Sequence, residues 1–292
     1  MLRAKKTVKA LIIVTVMTLT ALLFAAGRYM GNKGERFLKN LTLQSAGQCF
    51  DVSAKKDDGN VSYSAWTQCR KETLQSEFGR SCDADVIAIY GDSGCVFPIG
   101  ANLPAEDTEG CIIGEKLAED LFGSGHAAGG KLFWREQEWT VRRVVEEPAE
   151  LCLLQASGMK EQPEFERISI TVKEGDNRRK VFEEFTLNQG LSAHALRWDY
   201  LYGAKWLLEM IPSDWSDFDG WKKNLQEWSR AVKLAKTAER SAIEEAGLNY
   251  RKRALFCHIS GIICVITGLV IMWRTGTKKN ADKEGKSDSH VR

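Results

Sequence analysis

The chain has 292 residues, 43% of them hydrophobic and 27% charged, a composition that excludes a disordered or low-complexity protein. Its 41 basic and 39 acidic side chains nearly cancel, leaving a formal charge of +2 and no basic excess of the kind that marks a nucleic-acid binder.

Residues 1–9 form a basic leader carrying Arg3, Lys5, Lys6 and Lys9 with no acid. Ala10 to Ala26 follows, 17 residues without a charge, at the short end of what spans a bilayer core of about 30 Å. A cleaved signal peptide and a retained anchor both fit it; Phe24, at −3 to a cut after Ala26, favours the anchor. The matching run is Ala254 to Trp273, 20 residues long enough to cross as a helix. Arg274, Lys278, Lys279, Lys283, Lys286 and Arg292 follow it. Basic flanks at both outer ends place both termini in the cytoplasm and the 227 residues from Gly27 to Arg253 outside.

Six cysteines, 49, 69, 82, 95, 111 and 152, fall in that outer region. An even count in an oxidising compartment allows up to three disulfides, with fifteen connectivities open, and buried free thiols fit equally. None of the spacings suits a zinc site.

Residues 28–60 read as a juxtamembrane stretch ending in a turn at Lys55–Asn60. Asp85 to Tyr90 (DVIAIY) is a buried-strand pattern closed by Gly91-Asp92-Ser93-Gly94. Glu115 to Phe122 puts Leu117, Leu121 and Phe122 on one helical face, with Gly123 as the stop. Lys131 to Val145 reads as two strands and Arg167 to Val172 as another, which together predict an α+β domain. After Pro212, Ser213 to Gly220 is a turn rich in N-cap residues. Trp221, Leu225, Trp228, Val232, Ala235 and Ala242 then form a 3-4 stripe, predicting a helix from Trp221 that runs without a break into the second span, the main part of a helical stalk over 213–253. The tryptophans suit packing on the domain as well as a coiled coil.

Several motifs invite a chemical role and fail on order. Gly125 to Lys131 (GHAAGGK) has phosphate-loop spacing, but a helix precedes it, a strand follows, and Leu132 replaces the magnesium-holding hydroxyl. Gly91-Asp92-Ser93-Gly94 resembles the nucleophile block of SGNH-type esterases and the motif of trypsin-like proteases. No histidine precedes Ser93, and Leu191, Leu255 and Ser287 stand where an esterase needs an aspartate before His194, His258 or His290. In the acidic cluster Asp214, Asp217, Asp219, a calcium-loop register would put Trp215 and Gln226 at ligand positions. His126 lacks metal-type neighbours as well. No catalytic, cofactor or metal residue is expected.

The most informative stretch is Gly110-Cys111-Ile112-Ile113-Gly114 followed by Glu115 to Ser124, then Gly129-Gly130-Lys131-Leu132 and Trp139 to Val145. It resembles the MacB-type periplasmic core domain of ABC-transporter permeases, the family that includes the FtsX-like permeases. Arg143 departs from the usual glycine there, and Trp66, Gln68, Arg80, Val86 to Gly91 and Leu207 to Trp221 extend the likeness across most of residues 60–225. The resemblance implies an α+β extracytoplasmic domain over 27–212 that couples motion rather than performing covalent chemistry. It implies as partners an ABC ATPase, a larger permease subunit and an external protein. Family permeases carry four membrane helices, so two here imply a reduced or accessory subunit of a bacterial cell membrane. The rival reading is a free-standing anchored sensor or adaptor that contacts no ATPase.

Overall fold

The computed structural model describes residues 2–47, 49–51, 62–99, 102–203, 206–207, 211–212 and 214–287. The turn expected at Lys55–Asn60 lies outside them. The chain divides into two compact units, residues 34–249, and residues 1–33 with 250–292.

In the larger unit, nine strands form a mixed sheet: β1 Leu41–Ser45, β2 Tyr63–Ser76, β3 Ser81–Gly91, β4 Gly110–Gly114, β5 Lys131–Trp134, β6 Gln137–Val145, β7 Leu151–Gln155, β8 Arg167–Ile170 and β9 Ala193–Leu196. The order β3-β7-β4-β6-β5-β2 closes on itself, because β2 also pairs with β3. The ring is possible because β2 is long and bent. Its register with β3 shifts between Cys69 and Glu72, where Lys71 takes a φ of 51°. Beyond that bulge β2 meets β5 through Gln75 and Ser76, and before it β2 meets β8 through Tyr63 to Trp66. From β8 the sheet continues through β1 to β9, all antiparallel.

Leu74, Val86, Ile113, Leu132, Trp139, Val141, Cys152 and Leu154 contribute to the buried core. Helix α3, Glu115–Phe122, adds Leu117, Ala118 and Leu121. It stops as its sequence indicates. Gly123 adopts a left-handed φ of 75°, and its N–H bonds to the Glu119 carbonyl. The remaining helices are α1 Leu2–Phe37, α2 Ser93–Val96, α4 Arg178–Gln189, α5 Phe218–Thr237 and α6 Ala242–Ser287.

Two expectations are corrected. The stretch 28–60 is not a plain juxtamembrane segment: α1 runs to Phe37, and β1 lies inside the sheet with Leu41 and Leu43 fully buried. The stalk is not one helix. It breaks after Thr237, where Ala238 leaves helical geometry at ψ 140°, and a new helix starts at Ala242. The apolar stripe runs through the break, so the stripe alone could not reveal it. Its members pack unevenly: Ala235 is buried, Trp228 stacks on Trp206 at 4.5 Å, and Leu225 is half exposed.

In the smaller unit two antiparallel helices, long and apolar enough to cross a membrane, lie side by side. Of their most apolar windows only 6% and 11% is buried within the protein, unlike the core helix of a soluble domain. Small residues set the contact. A Cβ on Gly27 would meet the His258 ring at 2.9 Å, and one on Gly261 would meet the Phe24 ring at 3.0 Å. Gly268 faces Val16 in the same way. Gly261 and Gly268 of α6 thus pack on the chain's own first helix.

Candidate functional site

A buried polar cluster of the larger unit sits where α6 begins. Ser241-Ala242-Ile243-Glu244 is a capping box. The Glu244 N–H donates to Ser241 Oγ at 3.2 Å, and the Ser241 N–H donates to Glu244 Oε2 at 2.8 Å. That carboxylate is also one half of a buried ion pair. Arg167, the first residue of β8, donates from Nη1 to Glu244 Oε2 at 2.7 Å, with side chains 7% and 6% exposed. Trp198 Nε1 donates to the other oxygen at 2.8 Å.

Arg167 is held on every side. Its Nη2 donates to the Glu239 carbonyl, and its guanidinium lies over the Trp66 ring at 5.0 Å. Trp66 is fixed in turn by donating to Ser169 Oγ at 2.9 Å. Arg70 on β2 clasps the same linker, pairing with the Glu239 carboxylate at 2.7 Å and donating to the Arg240 carbonyl. Four residues between two helices are therefore tied to β2 and β8.

The end of α1 is held nearby. Arg178, at the start of α4, donates to the carbonyls of Leu38 and Lys39, capping the helix with a cation at its negative end. Phe37 and Leu38 press on Gly247, where an added Cβ would come within 2.8 Å of both side chains. Only glycine permits that approach. Asn40 donates to the carbonyls of Gly94 and Cys95, while its buried Oδ1 has no partner among the described residues and lies beside a cavity of about 20 Å³, roughly one water in size. Arg197 grips Asp199 through two bonds of 2.9 and 2.7 Å, flanking Trp198. Burial pushes the Asp199 carboxyl up, but the bonds from Arg197 and the charges of Arg197 and Arg178 outweigh it and hold it below the ordinary value.

The residues singled out for chemistry are dispersed. Ser93 is fully buried in the short helix α2, donating to Asn102 Oδ1 and accepting from the Leu103 N–H, both at 2.7 Å. Its hydroxyl fastens a loop. His126 and His194 lie exposed on separate elements, and His258 packs on Phe24 in the helix pair. Asp217 caps α5 by accepting from the Gly220 N–H. Among the described residues no group of three or more His, Cys, Asp or Glu is placed to hold a metal ion. Gly125 to Lys131 lies between α3 and β5, with Gly129 at a φ of 90°. The six cysteines of the larger unit scatter as thiols, save one neighbouring pair. The hydrogen bond between the Cys152 and Cys111 thiols, together with full burial, pushes Cys111 well above the ordinary thiol value.

The sequence carried a signal for this site that the apolar stripe masked: a serine followed three residues later by glutamate, the pattern of a capping box. Nothing in one sequence pairs Arg167 with Glu244, 77 residues apart.

No protein-family model matches the chain, and no curated protein matches it. Its structure is similar to the crystal structure of the periplasmic region of MacB from Actinobacillus actinomycetemcomitans. The match has 13% identity and a TM-score of 0.44, covering 54% of this chain and 87% of that one. It is also similar to the extracellular domain of the noncanonic ABC-type transporter YknZ from Gram-positive bacteria. There the identity is 16% and the TM-score 0.42, covering 54% of this chain and all of that one. The chain comprises a mixed α+β domain and two long apolar helices.

Proposed function

We propose that the chain is a two-pass protein of a bacterial cell membrane, with both termini cytoplasmic and its α+β domain outside. In this reading it is an accessory or reduced permease subunit of an ABC-type system and acts by binding and conformational coupling, without covalent chemistry. The observation that carries the proposal is the joint at the start of α6. A helix that crosses the bilayer begins in a capping box whose carboxylate is buried against Arg167 of the sheet. Such a joint resists slipping, because parting the pair leaves a charge buried without a partner. Movement imposed on the helix reaches β8 and β2, and movement imposed on the sheet reaches the helix. In this reading an ABC ATPase and a larger permease supply energy and route. The test is a mild-detergent pull-down of the full chain from native membranes. An ABC ATPase and a four-helix permease should co-purify. A clean monomer lacking both would replace this reading with the free-standing sensor.

A further inference from the structure

Helix α5 differs in charge from the domain that carries it. Residues 34–249 hold 36 acidic and 26 basic side chains, a net charge of −10, within a chain of +2. On α5 the balance reverses. Lys222, Lys223, Arg230, Lys233 and Lys236 stand exposed and make no ion pair among the described residues, while Glu227 is taken up by Arg179 at 2.8 Å. Lys222, Lys233 and Lys236 recur at helical spacing on one face, with Lys223 and Arg230 on its flank. The helix dipole accounts for Asp219 in the first turn and Lys236 in the last, and not for Lys222, Lys223 or Arg230.

The opposite charge gathers around α3, which presents Glu115, Glu119 and Asp120 to solvent. Asp83 and Glu150 lie in the same neighbourhood. The Cys82 thiol registers the crowding: burial pushes it up, then Asp120 by charge and hydrogen bond, then the charges of Glu150 and Asp83. Lys116 is bound to Glu150 and Arg80 lies against Gly123, so carboxylates prevail on this face. The two faces belong to separate parts of the sheet. Helix α5 packs on β9, whereas α3 packs on the ring strands β2, β3, β4 and β6, with β1 and β8 between. At about 4.8 Å per strand step they lie roughly 14 Å or more apart, beyond a Debye length of about 8 Å. Neither face therefore neutralises the other within one copy.

We propose that copies of the chain associate head to tail, the basic face of α5 on one copy docking against the carboxylates around α3 on the next. Both faces belong to the α+β domain, so the contact does not rest on the membrane reading. It is heterologous, and its repetition gives a ring or a row rather than a two-fold pair. Phe218 and Leu225, 80% and 49% exposed, edge the basic face and add apolar area to the contact. Exposed ion pairs contribute little singly and are screened by salt, so the association is weak and salt-sensitive.

A zero-length carbodiimide, which joins a lysine amine to a carboxylate in direct contact, tests this on the full chain in mild detergent, with isotope-labelled and unlabelled copies mixed. Cross-links between labelled and unlabelled copies should join Lys222, Lys233 or Lys236 to Glu115, Glu119 or Asp120. They should fall roughly tenfold between low salt and about 1 M salt. Lys222→Glu with Lys233→Glu and Lys236→Glu should abolish them, as should Glu115→Lys with Glu119→Lys. The two variants mixed should cross-link to each other again, a recovery that misfolded chains could not give. Links confined within single copies, or no recovery in the mixture, would overturn the proposal. Links in native membranes from these lysines to a different protein, with none between copies, would overturn it too and assign the face to that protein.

Discussion

Replacing Glu244 by alanine removes three hydrogen bonds at once, those donated by Arg167 Nη1, Trp198 Nε1 and the Ser241 N–H. It leaves the Arg167 guanidinium, 7% exposed, with one carbonyl and a tryptophan face. Breaking a buried pair by deleting one partner costs about 3–5 kcal/mol, a figure that here absorbs the lost helix cap of about 1 kcal/mol. A domain of this size loses roughly 2–4 °C of Tm per kcal/mol, so the expected drop is roughly 6–20 °C. The assay is thermal unfolding of the full chain in lipid nanodiscs, followed by tryptophan emission. The pair should then be taken through a double-mutant cycle with Arg167→Met and Glu244→Leu. Removing both charges should recover more than half the loss of either single change, because no charge is then stranded. A Glu244→Ala protein melting within about 3 °C of wild type would refute the joint, as would a double variant no better than the sum of its parts.

Reporter fusions after Lys5, Glu150 and Gly285 should export only the middle one; an exported C-terminal fusion would refute the two-span topology. Ser93→Ala should strand the Leu103 N–H and cost about 1–3 kcal/mol, without loss of partner recovery in the pull-down. Gly247→Leu should drive a side chain into Phe37 and Leu38 and lower the domain's Tm, with Gly247→Ala intermediate. Asp199 has a folded-state pKa below the ordinary 3.8, so its stabilisation is complete above that value and is lost as pH falls through the folded pKa. Acid titration of stability should therefore be shallower in Asp199→Asn below about pH 4, in a variant already less stable at neutral pH. The Cys49 thiol, held up first by its bond to Glu164, should alkylate faster at neutral pH in Glu164→Gln.

What the sequence revealed depended on how each element is stabilised. Helix α3 and its stop were legible because its apolar face and left-handed glycine are both local features. The strands over Lys131 to Val145 were legible for the same reason. Strand β2 was not: its YSAWTQCRKETLQS alternates poorly, since one half lies under the sheet extension and the other enters the ring through a bulge. Helix α4 was hidden because it buries only Phe185 and is otherwise held by its Asn177 cap and surface ion pairs. The joint fared worst. Its cap is a local pattern lying within a longer stripe, and its ion pair joins segments that only the folded sheet brings together.

If the chain is held in a membrane as proposed, the closed ring has a consequence there, where neighbours collide far more often than in solution. A strand with an unpaired side can recruit another chain. Among the described strands only β9 has a single neighbour, β1. It is four residues long, bears exposed His194, and has α5 packed against it. Crowded copies of this domain therefore have almost no edge on which to zip together, which leaves side-chain surfaces to govern who associates with whom.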